Sequence, residues 1–325
     1  MRFITFEVEG RERVGVVEDE KVIDLTAAHT SYLTTKKKLP YAEEEANRVL
    51  PPSMIKLLER GQEGLLVRPS TTCWEDIVTT VKYVRDRKFD VLGAVFPLKR
   101  VKLKAPIPRP GKIVCIGLNY EDYRKILGID KSDYPMFFFK PSSTVIGPDE
   151  PIVIPRGRFP CTFSDCVWQE WEFTVVIGKK ARRVPRERAL EYVFGFTIFD
   201  DMTAHDIEMM GPGKTFFQQR CKPFDTFSPM GPWIVTRDEM PDIRNLKMIR
   251  KVNGKVECES STKNMIHGVP EIIEFLSEMM TLEPGDIIPT ASPPAGPKDG
   301  LKPGDVIEAF IEGIGTLRNS VVTEK

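Results

Sequence analysis

Glu170 and Glu172 stand two residues apart in WQEWEFTVVIG, directly before a β-branched run. On a strand, side chains two apart point to one face, so this spacing converges two carboxylates. A second apolar run, GFTIFDD, ends in Asp200 and Asp201 where a strand opens into polar sequence, and one of these two can reach a site shared with the glutamates. Three crowded carboxylates repel unless protons or a cation intervene. An all-oxygen donor set suits a hard ion such as Mg²⁺, Mn²⁺ or Ca²⁺ better than zinc. Taken alone, an E-x-E pair is more often a solvated strand face. The six cysteines (Cys73, Cys115, Cys161, Cys166, Cys221, Cys258) form no CxxC pair, so they read as reduced packing thiols rather than metal ligands.

The elements that position these residues fall into two parts. Residues 1–105 read as a small α+β domain: an N-terminal hairpin of two or three strands up to Leu25, then amphipathic helices, the clearest being Trp74 to Arg87 with Trp74, Ile77, Val78, Val81 and Val84 on one face. Pro97, Pro106, Pro108 and Pro110 forbid a helix between the parts and mark the boundary. Residues 106–325 read as a strand-dominated catalytic domain of short runs such as KIVCIG, MFFFK, PIVIP and GPWIVT. Asn253-Gly254 signals a type I′ hairpin, and two helices are expected, at Pro185 to Tyr192 and Pro270 to Met279. Helices do not alternate regularly with strands, so the fold class is mixed α/β, neither a Rossmann sheet nor a TIM barrel.

Composition narrows the partners. Lys plus Arg (47) equals Asp plus Glu (47) in 325 residues, so no net field draws the chain to nucleic acid or an anionic membrane. No segment approaches the ~18 apolar residues of a membrane span, and the N-terminus lacks a signal-peptide core, so a cytoplasmic location is expected.

From Lys112 onward the sequence resembles the fumarylacetoacetate hydrolase family. The likeness covers residues 106 to 322 in consistent order, through KIVCIGLNYEDY, FFFKPSSTVIGP, EWEFTVVIGKKARRV, FTIFDDMTAHD, KPFDTFSPMGPWIVT, VNGKVECESSTKNMI, LEPGDIIPTASP and LKPGDVIEAFIEGIGTLRN. It implies a β-roll or β-sandwich catalytic domain, a homodimer and a small-molecule 2-oxo acid substrate, with no nucleic-acid or membrane partner. It also implies a divalent metal, Mg²⁺ or Mn²⁺ with Ca²⁺ as a substitute, held by Glu170, Glu172 and Asp201, which leaves Asp200 as a neighbour. Lys222 in KPFDTF and Lys140 in FFFKPSS match catalytic or site-lining lysines, with Lys214 as a competitor for the role of Lys222. Asn119, Tyr120, Ser142 and Thr290 are the implied substrate-binding residues, Thr290 through its hydroxyl or amide. Gln218, with Gln219 and Arg220, is a candidate for binding the distal end of the substrate.

The resemblance also exposes a departure. Hydrolases of this family place a His–Glu dyad just after the N-Y of G-x-N-Y, whereas here Tyr123 stands at the His position and Ile126 at the Glu position. A phenol is a poor base at neutral pH, although a metal and a lysine nearby would lower its pKa. Of the three histidines, His205 falls where the family has Arg, near enough to Asp201 that it could approach the site from another side, while His29 and His267 read as packing residues. The motif set as a whole favours hydrolysis of the C–C bond in an acylpyruvate- or fumarylacetoacetate-like β-diketo acid through a metal-stabilised enolate. The missing dyad favours a lyase or isomerase on a related 2-oxo acid: a 2-keto-3-deoxy sugar-acid dehydratase, an oxaloacetate-type decarboxylase or a hydroxymuconate-type isomerase. A non-catalytic metabolite-binding protein is the third reading, and loss of the carboxylates would be its mark.

Overall fold

A computed structural model describes residues 1–60, 72–208, 210 and 218–324. Its largest unit is a twelve-stranded sheet. The main path runs Val95–Pro97, Lys21–Asp24, Arg11–Glu18, Arg2–Val8, Ser228–Thr236, Val193–Asp200, Trp171–Ile177, Ile287–Pro289, Ile113–Gly117 and Met136–Lys140. A five-stranded sheet of Lys255–Ser261, Lys247–Val252, Val306–Ile311, Gly315–Thr323 and Ile152–Ile154 forms a second layer. Between the layers Phe173, Val175, Phe196, Ile198 and Val235 pack with Met248, Ala309, Ile311 and Leu317. The result is the β-sandwich expected of the catalytic part.

The central strand Trp171–Ile177 is buried along its whole length. Such a strand must carry apolar residues on both faces, and WEFTVVI does so except at Glu172 and Thr174. A buried carboxylate in a central strand is the first structural sign of a site.

Residues 2–24 form three antiparallel strands, with Glu9 (φ 51°) and Gly10 (φ 72°) in the left-handed geometry of a tight hairpin turn. Asn253 (φ 53°) and Gly254 (φ 76°) make the second expected turn. The N-terminal strands do not form a separate sheet, because Arg2–Val8 pairs antiparallel with Ser228–Thr236. Phe3 meets Phe194 edge-on at 5.1 Å, and one apolar core spans both sides of residue 105. The segment 186–192 takes 3-10 geometry rather than the expected α-helix: Ala189 is its one buried residue, so no apolar stripe anchors a regular helix. The Val269–Met279 helix does have such a stripe, in Ile272, Ile273 and Leu276.

Candidate active site

Strand register decides which aspartate joins the glutamates. Trp171 is paired with Asp200 in the antiparallel ladder, so Asp200 shares the Trp171 side of the sheet. One residue further, the Asp201 amide donates to the Glu170 carbonyl at 2.8 Å, which puts Asp201 on the side of Glu170 and Glu172. These three residues each bring a carboxylate oxygen within 4.8 Å of the others. Asp200 is held on the far side by Gln169, whose Nε2 donates to its two oxygens at 3.1 and 3.2 Å, and burial pushes its pKa up to about 7.

Two lysines partly neutralise the cluster. The Lys222 ammonium donates to Asp201 Oδ2 (2.6 Å), Glu170 Oε2 (2.9 Å) and the Thr203 hydroxyl (2.6 Å). Burial opposes its charge, but the Asp201 and Glu170 carboxylates outweigh burial and hold it well above the usual lysine range. Lys140 is buried behind Asp201, donating to Oδ1 at 2.6 Å and to the Phe227 carbonyl at 2.6 Å. Burial raises the pKa of Asp201, yet the two lysines overcome that effect and keep it below the ordinary carboxylate value.

Glu172 has no such partner. Among the described residues the one hydrogen bond to its carboxylate comes from the Ala291 amide, at 2.9 Å. Burial, then the neighbouring Asp201 and Glu170 charges, raise its pKa far above the ordinary value of 4.5. Three carboxylates against two ammoniums thus leave one carboxyl group, Glu172, without a positive partner to favour its ionisation. The converging oxygen donors and this deficit fit a hard divalent cation.

These groups open into a cavity of about 500 Å³, the size of a small-ligand site. Tyr123, Gln218, Gln219, Lys222, Glu170, Glu172 and Asp201 line it, together with an apolar wall of Leu118, Leu127, Met136, Phe137 and Phe138. Four expected residues are engaged elsewhere. Asn119 clamps the chain, donating to the His267 and Thr290 carbonyls and accepting from the His267 amide. Tyr120 is fully buried, with its hydroxyl 3.2 Å from the Met248 sulfur. The Ser142 carbonyl accepts from Arg109, and neither Ser142 nor Lys140 lines the cavity. The Thr290 hydroxyl and amide both donate to the Phe173 carbonyl, and Thr290 does not line the cavity. The next two residues of that motif, Ala291 and Ser292, line the cavity instead. Ala291 adopts φ 76°, a left-handed conformation costly for a residue with a Cβ, and in it donates its amide to Glu172. Arg220 reaches the Met210 carbonyl at 3.5 Å, and Lys214 lies outside the described residues.

Tyr123 keeps the weak basicity that its residue type implies. Burial, followed by the Glu170 and Glu208 charges, raises its phenol pKa further, and Lys222 does not offset them. It can donate a hydrogen bond but cannot serve as a base near neutrality. Ile126 is 70% exposed, so the Glu121–Leu127 helix presents no acid–base pair to the cavity.

The structure adds one functional candidate that the sequence reading did not single out. Glu208 lines the cavity beside His205, whose Nδ1 lies 3.0 Å from the Glu208 carboxylate. The H-D-I-E spacing on a single helical turn was the available signal.

The family model for the fumarylacetoacetate (FAA) hydrolase C-terminal region matches residues 112–322. The chain belongs to the fumarylacetoacetate hydrolase family. Oxaloacetate tautomerase YisK of Bacillus subtilis is 36% identical over 99% of this chain and 100% of its own length. A crystal structure of maleylpyruvate hydrolase from Sphingobium sp. SYK-6 with manganese(II) and pyruvate aligns over 100% of both chains, with 30% identity and a TM-score of 0.71. The 5-carboxymethyl-2-hydroxymuconate delta-isomerase of Mycobacterium smegmatis also aligns over 100% of both chains, at 27% identity and a TM-score of 0.69. The chain is thus an enzyme of a family containing hydrolases, isomerases and tautomerases. Among the described residues no helix is long and apolar enough to cross a membrane.

Proposed function

We propose that this enzyme interconverts the keto and enol forms of a small 2-oxo acid, with oxaloacetate or a similar dicarboxylate as substrate and Mg²⁺ or Mn²⁺ as cofactor. The observation carrying this reading is a cavity with a carboxylate triad and a fixed ammonium whose neighbouring helix bears Tyr123 and Ile126 in place of a water-activating dyad. Tautomerisation needs a proton moved between carbon and oxygen but no activated water, so these positions do not impede it. The similarity to oxaloacetate tautomerase YisK over nearly the full chain points the same way.

Glu170, Glu172 and Asp201 would hold the cation, which supplies Lewis-acid polarisation of the bound oxo acid. Lys222, kept charged by Asp201 and Glu170, places a positive group where negative charge develops on the substrate oxygen. Leu118, Met136, Phe137 and Phe138 give the cavity an apolar wall, which strengthens those electrostatics. Tyr123 donates a hydrogen bond to a substrate oxygen. Carbon–carbon hydrolysis of an acylpyruvate is the second reading, supported by the likeness to maleylpyruvate hydrolase.

The deciding experiment follows the ultraviolet absorbance of enolic oxaloacetate with Mg²⁺ or Mn²⁺, alongside product analysis on acetylpyruvate and fumarylpyruvate. Accelerated decay of the enol without diketone cleavage supports the tautomerase. Pyruvate and a carboxylic acid formed from the diketo acids, with no effect on the enol, would replace it with the hydrolase.

A further inference from the structure

The proposed reaction needs a group that takes and returns a proton at the carbon beside the keto group, and neither Tyr123 nor Lys222 is suited to it. The Lys222 ammonium is engaged by Asp201, Glu170 and the Thr203 hydroxyl, and a phenol is by residue type a poor base near neutrality. Imidazole is the side chain best suited to this work near neutral pH. The chain has three histidines.

Two of them are committed elsewhere. His29 lies in the N-terminal core, its Nδ1 2.8 Å from the Thr80 hydroxyl, and burial pushes its pKa down to about 4. His267 uses both ring nitrogens, one with Glu271 at 2.8 Å and the other with the Ser132 carbonyl at 3.2 Å. His205 differs. It lines the same cavity as the carboxylate triad and Lys222, and among the described residues its Nε2 has no hydrogen-bond partner.

His205 is also held in place from several directions. Its ring stacks on Trp168 at 3.5 Å between centroids and 13° between planes. Its amide donates to the Cys166 carbonyl at 2.8 Å, beside the short ladder pairing Val167–Trp168 with Thr203–Ala204. Nδ1 lies 3.0 Å from Glu208 Oε2, while Gln218 Nε2 donates to the other Glu208 oxygen at 2.8 Å. Burial raises the pKa of Glu208, but the His205 hydrogen bond, Lys222 and Gln218 outweigh it and keep the carboxylate ionised. A carboxylate on Nδ1 fixes the tautomer with the proton on that nitrogen and leaves Nε2 as the acceptor.

We propose that His205 is the catalytic acid–base of this enzyme and that Glu208, steadied by Gln218, is its positioning residue. The assignment rests on the enolising reading of the cavity given above. In the enolising direction Nε2 takes a proton from the substrate carbon beside the keto group. The C–H electron pair becomes the new carbon–carbon double bond, and the carbonyl π pair moves onto oxygen. Solvent protonates that oxygen and receives the imidazolium proton, which leaves the enol and an unchanged enzyme. Ketonisation runs the same steps in reverse.

The test is exchange of the C3 protons of pyruvate and 2-oxobutyrate for deuterium in D₂O with Mg²⁺, followed by proton NMR. Exchange by the wild-type chain should fall by about 10²-fold or more in His205→Gln and His205→Ala, the usual scale for loss of a general base. Mg²⁺ affinity by calorimetry should stay at the wild-type value, and added imidazole should restore exchange to His205→Ala but not to His205→Gln. Rescue by a diffusible base also shows that the variant is folded. Glu208→Gln should lower kcat with little change in KM, since it disturbs the base rather than substrate binding. A wild type that ketonises enolic oxaloacetate while both His205 variants exchange at the wild-type rate would overturn this assignment alone. A wild type inert in both assays would overturn the enolising reading and the assignment with it.

Discussion

Asp201 stands directly across from Glu170, its amide donating to the Glu170 carbonyl at 2.8 Å, one step beyond the Trp171–Asp200 pair of the ladder. A slip of one residue would exchange the two aspartates between faces of the sheet. Adjacent residues of one chemical type are thereby given different tasks. Asp201, in the cavity wall, meets two ammoniums, and Asp200 meets a neutral amide in the interior.

Asp200 therefore contributes a pH dependence of its own. Its pKa is raised from 3.8 to about 7 by burial, so between those values the folded chain holds a proton that the unfolded chain has released. Stability of the metal-free protein must then fall as pH rises through this window. The effect reaches roughly 4 kcal/mol at about 1.4 kcal/mol per pH unit of displacement. Asp200→Asn cannot ionise and still offers Gln169 an acceptor, so it should lack this part of the slope. Denaturant unfolding at pH 5 and pH 8 with a chelator present measures it, and parallel slopes in the two chains would remove Asp200 from the account.

Glu172 predicts a proton released on metal binding. Burial and two neighbouring carboxylates raise its pKa above the ordinary 4.5, so the metal-free protein retains a proton there that a cation must expel. Metal affinity should rise with pH for this reason, and Glu172→Gln should bind Mg²⁺ or Mn²⁺ far more weakly. Calorimetric titration in two buffers of different ionisation enthalpy reads the released proton directly. Identical apparent enthalpies in the two buffers would mean that Glu172 is already ionised.

Much of this arrangement was legible in the sequence because the informative residues lie on strands, where a period of two fixes the face. Glu170 and Glu172 needed only that rule, and the hairpin turns at Gly10 and Gly254 needed only residue type. The choice between Asp200 and Asp201 required register, which depends on a pairing between strands and not on either strand alone. Lys140 and Thr290 carried the right motifs, yet one packs behind Asp201 and the other donates to the Phe173 carbonyl. Their depth is set by tertiary packing, which a motif does not encode. The joining of the N-terminal strands to the Ser228–Thr236 edge was hidden for the same reason.

Tyr123→Phe separates a donor from a base. The phenol is raised by burial, then by Glu170 and Glu208, so its contribution is a hydrogen bond to a charged oxygen. Such a bond contributes about 1.5–3 kcal/mol, which corresponds to a loss of roughly ten- to a hundredfold in kcat/KM. Metal affinity should be unchanged, and the pH profile should keep its shape. A lost limb of that profile in Tyr123→Phe would transfer the acid–base role from His205 to Tyr123.

Lys222→Met tests whether the buried ammonium and the cation share the task of neutralising the cluster. Lys222 bridges Glu170 and Asp201 at 2.9 and 2.6 Å, and its removal leaves Glu170 without that counter-charge while Asp201 keeps only Lys140. Breaking a buried ion pair costs about 3–5 kcal/mol, so the metal-free variant should melt well below the wild type. Mg²⁺ or Mn²⁺ binds the folded state alone and relieves the same repulsion, so it should raise the melting temperature of the variant more than that of the wild type. Turnover should nonetheless stay low in kcat with metal saturating, because the positive group facing the developing oxygen charge is gone. Differential scanning calorimetry with and without metal decides the matter. A metal-induced shift no larger in Lys222→Met than in the wild type would show that lysine and cation neutralise different charges.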